Sequence, residues 1–410
     1  MLFVFDIIIL LLLYIDIRLY KRIITPFSVF ASVYLVLINL NNLIVTHIYG
    51  FYLVSNQTLC ILGAFLILIF GVDILGAKVL YKLKDRELLL QEPQKLEKFI
   101  SVLYLLGCAA MSYQFVELLQ QYGIHDMKGR AAGPLAHVSK ICLIFTPLFL
   151  DLAFRSKNKL RICLSCGVAA VVLVLMLIKG GKYHIVIQLL YIVFYFLMSR
   201  QKKISLKKLM LLGSLVVLGA FCIFIAIYFV VPILTNALDR FRNPLSAFAF
   251  SVRTFFGNLV GPVVANNFTL ANPGAADPWI PFTVPVNILK ALLGSRPYVN
   301  PIFEHVIYTR PGSLINVSGI VGETVYCLGF VYAALYLIAI FAVINVFYIL
   351  YRKYDLYKMT CAYALCLIFL GFFANFFTTS GALLPLIYLF ILETGLQAYP
   401  YITAKRRKAK

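Results

Sequence analysis

Charged residues are scarce in this chain, and acidic residues are the scarcest. Only 13% of the 410 residues are charged, with 16 acidic side chains against 37 basic ones, while 62% are hydrophobic. Soluble domains carry about 25% charged and about 45–50% apolar residues. The composition therefore excludes an ordinary soluble domain. It predicts an all-α, polytopic bundle of membrane-spanning helices.

Patterns that bind metals or nucleotides are also missing. Cys163 and Cys166 form one CxxC, without a second pair or a nearby histidine. All nine cysteines lie in or at the end of apolar runs, which favours small packing residues over a metal or redox site. The sequence contains no Walker loop and no acidic nucleotide-sugar motif. We therefore expect neither a metal nor a cofactor.

The basic surplus, a formal charge of +21, indicates membrane topology rather than nucleic-acid binding. The basic residues form short clusters between apolar runs, and most lie on alternate loops. Because basic loops stay in the cytoplasm, we expect the N-terminus outside and the C-terminus inside. We interpret the N-terminal run as a first spanning helix and not as a cleaved signal. About 20 apolar residues span a bilayer, which predicts eleven helices near residues 2–17, 23–47, 52–80, 99–121, 135–154, 162–178, 183–199, 209–231, 319–350, 359–379 and 381–399.

These runs divide the chain into three parts. Residues 1–231 are predicted to form eight spanning helices, and residues 319–410 three more with a basic cytoplasmic tail. Between them, residues 232–318 hold ten of the 16 prolines and the single tryptophan. A segment of this length that is rich in turn residues predicts one large extracytoplasmic loop. Long loops of this kind often contain the functional site. Within this loop, residues 245–268 are apolar but contain glycines and a proline, so we expect an interfacial or re-entrant helix.

Basic residues on the outer face oppose the topology bias and therefore require another explanation. Anion binding is the simplest, because guanidinium groups bind phosphate oxygens in a bidentate manner and ammonium groups act as point charges. For the lysines beside Gly180 and Gly181, snorkelling to the interface is the alternative. The predicted anion ligands are Arg130, Lys179, Lys182, Arg240, Arg253 and Arg310.

Two side chains could act as a general base at the outer edge of the membrane. Glu323 stands at the start of a long apolar run, where a carboxylate is costly unless it has a partner or a role. His305 precedes it by a short segment. A carboxylate or an imidazole is the group required to deprotonate a hydroxyl. The alternative for Glu323 is a salt bridge or a favourable charge at a helix N-terminus.

Three passages resemble the bacterial repeat-unit polymerases of the Wzy or O-antigen polymerase family: IKGGKYH, PVNILKALLGSRPYVNP and SGIVGETVYCLGFVYAALY. The order of helices and one large outer loop in the second half also resemble that family. The resemblance implies a GT-C-like membrane glycosyltransferase of the cell inner membrane. It would join undecaprenyl-diphosphate-linked oligosaccharides into O-antigen or capsular polysaccharide, beside a chain-length regulator and a flippase.

The resemblance also implies roles for the candidate residues. The basic residues would hold the diphosphate, and Glu323 or His305 would activate the acceptor hydroxyl. Two other functions stay open: an O-antigen ligase type of transferase, and a lipid-linked oligosaccharide flippase or transporter. For the second, Asp6, Asp73, Glu117, Lys140 and Asp151 offer charges inside predicted helices, although we expect ion pairs among them rather than a proton relay.

Overall fold

The structure is a computed structural model, and it describes most of the chain. Two short strands accompany its helices. The described residues are 1–83, 93–126, 134–178, 182–199, 218–219, 221–222, 225, 243–298, 306–311 and 313–408.

In chain order, the elements of the described residues are α1 (Leu2–Tyr20), α2 (Pro26–Leu40), α3 (Thr46–Tyr49), α4 (Asn56–Lys82), α5 (Pro93–Asp126), α6 (Pro134–Arg155), α7 (Lys159–Ile178), α8 (Lys182–Ser199), α9 (Pro244–Thr269), α10 (Thr283–Leu292), β1 (Ile307–Arg310), β2 (Ser313–Ile315), α11 (Ile320–Tyr354), α12 (Lys358–Phe369) and α13 (Ser380–Lys408). A π-helical turn joins α2 to α3, and 3-10 turns precede α10 and follow α12.

Among the described residues, eight helices are long and apolar enough to cross a membrane. This confirms the prediction of a polytopic, helical membrane protein. The predicted spans up to residue 199 each coincide with a helix, whereas 209–231 lies mostly outside the described residues. The eight helices are Pro26–Tyr49, Asn56–Lys82, Phe99–Gly123, Leu135–Arg155, Lys159–Met176, Leu245–Thr269, Ile320–Tyr354 and Ser380–Gln397.

The chain divides into two compact units. The first contains Met1–Lys84, Lys202–Lys353 and Leu367–Leu383, and the second contains Asp85–Gln201, Tyr354–Cys366 and Leu384–Lys410.

In the first unit, Tyr20 joins three helices. Its buried hydroxyl donates to the Asp73 carbonyl oxygen of α4 at 2.9 Å and approaches Oδ1 of Asn345 on α11 at 3.1 Å. A Cβ on Gly76 would lie 2.8 Å from Asn345 Oδ1 and 2.9 Å from the Tyr20 hydroxyl. The absence of a side chain at Gly76 therefore lets α1, α4 and α11 approach closely.

The helix α9 corrects one expectation, that its glycines and proline interrupt it. It is continuous over 26 residues with Pro262 inside. Its start is fixed by Asn243, whose side chain accepts from the Ser246 N–H, with Pro244 at the first helical position. Gly257 and Gly261 provide space instead of breaks, because a Cβ there would lie 3.5 Å from the Phe51 ring and 2.9 Å from Ile315 Cδ1.

The C-terminal half of α9 lies along the turn between α3 and α4. The Asn267 side chain donates to the Leu53 carbonyl oxygen at 2.8 Å and accepts from the Ser55 N–H at 2.9 Å. The hairpin of β1 and β2, which composition did not predict, joins the same turn, because the Tyr52 N–H donates to the Thr309 carbonyl oxygen at 2.9 Å.

Two predicted spans are interrupted. Residues 319–350 fall in α11, which contains a break at Gly329, where φ is +70° and ψ is 176°. Residues 359–379 begin as α12 but continue as two 3-10 turns, Leu370–Phe372 and Phe376–Thr378. Non-helical backbone at membrane depth is tolerated only where it is buried in protein or lines a cavity. Both breaks belong to the first unit.

The second unit is held by close contact of α5 and α6. A Cβ on Gly107 would lie 2.5 Å from the Cys142 backbone nitrogen, and the rings of Tyr104 and Phe149 stack at 4.1 Å. The hydroxyl of Tyr191 on α8 donates to the Ile144 carbonyl oxygen at 3.1 Å. Small residues at such contacts are the usual means by which membrane helices approach each other.

Candidate functional site

A pocket in the first unit lies where the first turns of α11 meet the broken segment that follows α12. It is open to solvent, and the space within it, counted together with adjoining solvent, is about 420 Å³. Polar side chains from α9, the segment between β2 and α11, α11 itself and the segment after α12 meet there. The residues that line it are Thr269, Ile307, Asn316, Val317, Ser318, Glu323, Tyr326, Ala374, Asn375, Thr378 and Thr379.

Glu323 is the ionisable carboxyl group of this pocket. It lies in the first turn of α11, where its N–H donates to the Gly319 carbonyl oxygen at 2.9 Å, and only 4% of the residue is exposed. Oε2 accepts from the Asn375 N–H at 3.2 Å. Oε1 is buried and accepts no hydrogen bond from the described residues. A buried oxygen without a donor costs about 1–3 kcal/mol, so this oxygen is available for a ligand.

Thr378 lies beside Glu323 but its hydroxyl is already used. It donates to the Asn375 carbonyl oxygen at 2.7 Å. Asn375 itself is held from two sides, since its Oδ1 accepts from the Phe377 N–H at 3.2 Å and its Nδ2 donates to the Tyr336 hydroxyl at 3.3 Å. The broken segment after α12 is therefore fixed in one conformation, with the Asn375 N–H directed at Glu323.

Asn266 on α9 provides a second amide next to this turn of α11. It is fully buried, and neither its Oδ1 nor its Nδ2 makes a hydrogen bond to the described residues. A Cβ on Gly322 would lie 2.0 Å from Asn266 Oδ1 and 2.5 Å from Thr269 Oγ1. Gly322 therefore lets the amide approach the backbone of α11 next to Glu323.

A second buried glutamate, in the other unit, shows how a structural carboxylate is arranged. Glu393 accepts from the N–H groups of Met359 and Thr360 at 3.0 and 2.8 Å, and from the Thr360 hydroxyl at 2.6 Å. Both of its oxygens are occupied at the N-terminus of α12, where a negative charge is favoured. Glu323 differs because one of its oxygens faces a pocket and has no donor among the described residues.

The described basic candidates do not line this pocket. Arg253 is exposed on α9. Arg310, at the end of β1, is directed to the turn after α3: its Nη1 donates to the Tyr49 carbonyl oxygen at 3.4 Å, and its guanidinium lies 5.3 Å from the centre of the Phe51 ring. These contacts give Arg310 a packing role. Anion binding by either arginine stays a prediction.

The remaining predicted site residues fall largely outside the described part of the chain. Lys182 is the first residue of α8, but its side chain is not among the described ones. The candidates at positions outside the described residues are His305, Arg130, Lys179 and Arg240.

Two of the five charges within the predicted helices have a partner one turn away, and a third has a partner on another helix. Asp151 pairs with Arg155, one turn away at 2.6 Å, and not with another of the five charges. Asp6 accepts from the Asn39 amide at 2.8 Å, and Glu117 accepts from Gln121 at 3.5 Å. Asp73 is fully buried without an ion pair to the described residues. These contacts do not connect the five charges to each other.

Sequence reasoning missed Asn266, Asn375, Thr378 and Tyr336. A signal for two of them was present in the passage GFFANFFTTSG, where polar residues and two glycines interrupt an apolar run. Asn266 follows a long apolar stretch as the first of two asparagines. Neither passage showed that it would meet Glu323.

Compared with models of known protein families, with curated proteins and with solved structures, the chain has no significant match. The functional argument therefore depends on the geometry of the pocket and on the sequence itself.

Proposed function

We propose that the protein is a membrane glycosyltransferase that polymerises lipid-diphosphate-linked oligosaccharide repeat units at the outer face of the bacterial inner membrane. The observation that carries the proposal is Glu323, a buried carboxyl group that lines a pocket beside the broken segment after α12 and has one oxygen without a donor among the described residues. The three sequence passages that resemble the O-antigen polymerase family support it, and one of them contains Glu323.

The pocket would take the acceptor sugar. Its lining combines a carboxyl group, two asparagines, several hydroxyls and three aliphatic residues (Ile307, Val317 and Ala374), and none of its residues is lysine or arginine. This chemistry suits a neutral, hydroxyl-bearing ligand and does not suit a diphosphate, which requires positive charge. The lipid diphosphate would therefore bind elsewhere, at basic residues such as Arg253 or those outside the described part of the chain.

In this mechanism Glu323 acts as the general base. Its free Oε1 would accept the proton of the acceptor hydroxyl while that oxygen attacks the anomeric carbon of the donor. The anomeric bond to undecaprenyl diphosphate breaks, and the bonding electrons leave with the diphosphate. Basic side chains would stabilise the charge that develops on the leaving group. The Asn375 N–H, bound to Oε2, would hold the carboxylate in position.

The experiment is complementation of a strain that lacks its own polymerase and makes the cognate repeat unit. The parent protein should restore a glycan ladder, and Glu323→Gln should leave a single repeat at equal membrane levels. A general base contributes about 10²–10⁴-fold in rate, so the ladder should disappear. Glu117→Gln is the matched control, because Glu117 is an exposed glutamate on α5 with a single contact to Gln121.

A full ladder with Glu323→Gln would remove the proposed base. Absence of a ladder with the parent protein, despite a confirmed supply of the repeat unit, would reject the polymerase. Single repeats still joined to the core without the protein would exclude the ligase alternative.

A transporter is the second candidate, and one observation favours it. Discontinuous helices are typical of substrate and ion sites in secondary transporters. Glu323 lies six residues before the break at Gly329 in α11 and contacts the broken segment after α12 through Asn375. Loss of all surface glycan in a strain without the protein, with lipid-linked repeats accumulating on the inner face, would support transport. Single repeats on the surface would reject it.

A further inference from the structure

The short helix α10 has its apolar residues on the outside. Thr283 and Val284 are buried, whereas Leu289 is 60% exposed and Leu292 and Leu293 are each 78% exposed. Residues three and four positions apart share one face of a helix. Together with Ile288, which is also exposed, these leucines form one aliphatic stripe along the C-terminal half of α10 and the residue that follows it. This is the reverse of the pattern on a helix that faces water.

The opposite face of α10 is fixed by polar contacts. The Asn287 side chain donates to the Tyr298 carbonyl oxygen at 3.0 Å and accepts from the Tyr298 N–H at 2.5 Å. The Tyr298 hydroxyl in turn donates to Asp277 at 2.5 Å. The helix ends at Leu292, and Gly294, two residues later, has a φ of +64°, the left-handed conformation that commonly terminates helices. The aliphatic stripe is therefore presented by a fixed element.

The N-terminal end of α10 contacts α11 near one end of its long straight part. The Tyr336 hydroxyl donates to the Pro281 carbonyl oxygen at 3.3 Å, and its ring lies 5.7 Å from that of Phe282. Tyr336 is seven residues after Gly329, where that straight part begins. At 1.5 Å per residue this places the contact about 10 Å along the helix. The turn that precedes α10 is therefore fixed to α11 about two helical turns beyond the break at Gly329.

The length of α10 excludes a crossing of its own. The apolar helical segment Ile280–Leu292 falls in the class of 10–17 residues, whereas a span requires about 20. The residues that flank α10 are instead of the kinds found at a lipid surface. Arg296 is exposed beyond its end, Lys290 lies 5.8 Å from the Tyr298 ring, and Trp279 is 60% exposed at its start. Tryptophan and basic residues beside an aliphatic face are typical of helices in the headgroup region.

We propose that α10 binds the bilayer interface, with Leu289, Leu292 and Leu293 among the acyl chains and with Lys290 and Arg296 at the lipid phosphates. The bilayer is preferred to a second copy or a soluble partner because the cations flank the leucines, as lipid phosphates flank acyl chains. Through the Pro281–Tyr336 contact, this anchor is joined to α11, the helix that carries Glu323. The proposal does not depend on the function proposed above.

Trp279 provides the test, since it is the single tryptophan of the chain. The full-length protein is placed in nanodiscs with one copy per disc, made with phospholipids brominated either near the carbonyl groups or near the chain ends. An interfacial helix lies about 5–10 Å into the headgroup boundary. We therefore expect the shallow bromines to quench Trp279 several times more strongly than the deep ones, with weak quenching by aqueous iodide.

Three other results would overturn the proposal. Strong iodide quenching without bromine quenching would place α10 in water. Weak quenching by both iodide and brominated lipid would show that other parts of the protein cover α10. Stronger quenching by deep bromines would place it below the interface. Each disc holds one copy of the protein. If the leucines of α10 instead bind a second copy, no partner covers them in the disc, and iodide should quench Trp279 strongly.

Variants extend the test along the helix. Leu289→Asp with Leu292→Asp should decrease bromine quenching of Trp279 and increase iodide quenching. The matched control is Ala271→Asp with Ala275→Asp, at two exposed positions outside α10, and it should change neither. In a Trp279→Phe background, Leu292→Trp moves the probe to the other end of α10. Shallow bromines should also quench this probe most strongly, and a dominant iodide effect there would contradict the proposal.

Discussion

Glu323 accepts a hydrogen bond from the backbone N–H of Asn375, at 3.2 Å and across 52 residues of sequence. The bond joins the first turn of α11 to the broken segment that follows α12. It uses one carboxylate oxygen and leaves the other in the pocket without a donor among the described residues. The carboxylate is therefore held in position and still available for a ligand.

The two buried glutamates should differ in how much they stabilise the fold. Glu393→Ala removes the acceptor for three donors, the N–H groups of Met359 and Thr360 and the Thr360 hydroxyl. Glu323→Ala removes the acceptor for one. Each unpaired buried group costs about 1–3 kcal/mol. We expect Glu393→Ala to lower the midpoint of thermal unfolding in detergent clearly more than Glu323→Ala, and the opposite order would contradict the structural role of Glu393.

Gly322→Ala should separate α9 from α11. The added Cβ would lie 2.0 Å from Asn266 Oδ1, and overpacking of this kind costs about 1–3 kcal/mol. Gly71→Ala on α4 is the control, because its Cβ would meet nothing within 4 Å and alanine favours a helix by about 0.5–1 kcal/mol. The measurement is thermal unfolding of the purified variants.

A second substitution tests whether the contact with Asn266 causes the loss of stability in Gly322→Ala. Asn266→Ala combined with Gly322→Ala should recover part of the lost stability, because the clashing amide is then absent. If the double variant is no more stable than Gly322→Ala alone, the contact with Asn266 does not limit the approach of the two helices.

Alanine variants of the two described arginines of the predicted anion site should differ in their effects on stability and on activity. Arg310→Ala loses the Phe51 ring, a cation–π contact of about 0.5–2 kcal/mol, and should lower the unfolding temperature. Arg253 is exposed, so Arg253→Ala should change stability by less than about 0.5 kcal/mol. If Arg253 binds the diphosphate, its variant loses the glycan ladder at unchanged stability. An unchanged ladder would remove Arg253 from the proposed site.

Gly107→Ala should destabilise the second unit. Its Cβ would lie 2.5 Å from the Cys142 backbone nitrogen, and backbone cannot move aside as a flexible side chain can. We expect a loss of about 1–3 kcal/mol and reduced membrane levels. Gly167→Ala on α7, which meets nothing within 4 Å, is the matched control. Equal stability of the two variants would contradict the close packing of α5 on α6.

The amino-acid sequence by itself determined that the protein is a helical membrane protein. A long hydrophobic run by itself indicates a helix in a membrane, whatever the rest of the chain does. Most predicted spans therefore coincide with helices of the structure. It also indicated Glu323, because an acid at the start of an apolar run is costly wherever the rest of the chain lies. It was less successful at α9, where glycine and proline suggested breaks and the helix is continuous, since both glycines face packing partners, Phe51 and Ile315.

Only the tertiary structure decided what surrounds Glu323. The N–H of Asn375 and the amide of Asn266 come from elements separated from it by tens of residues, and a periodic pattern contains no information on such contacts. The same holds for the contact of the Arg310 guanidinium with the Phe51 ring, which its position in the sequence did not indicate. The sequence shows side-chain chemistry and local periodicity directly. Which side chains contact each other depends on close packing between segments that are distant in the sequence.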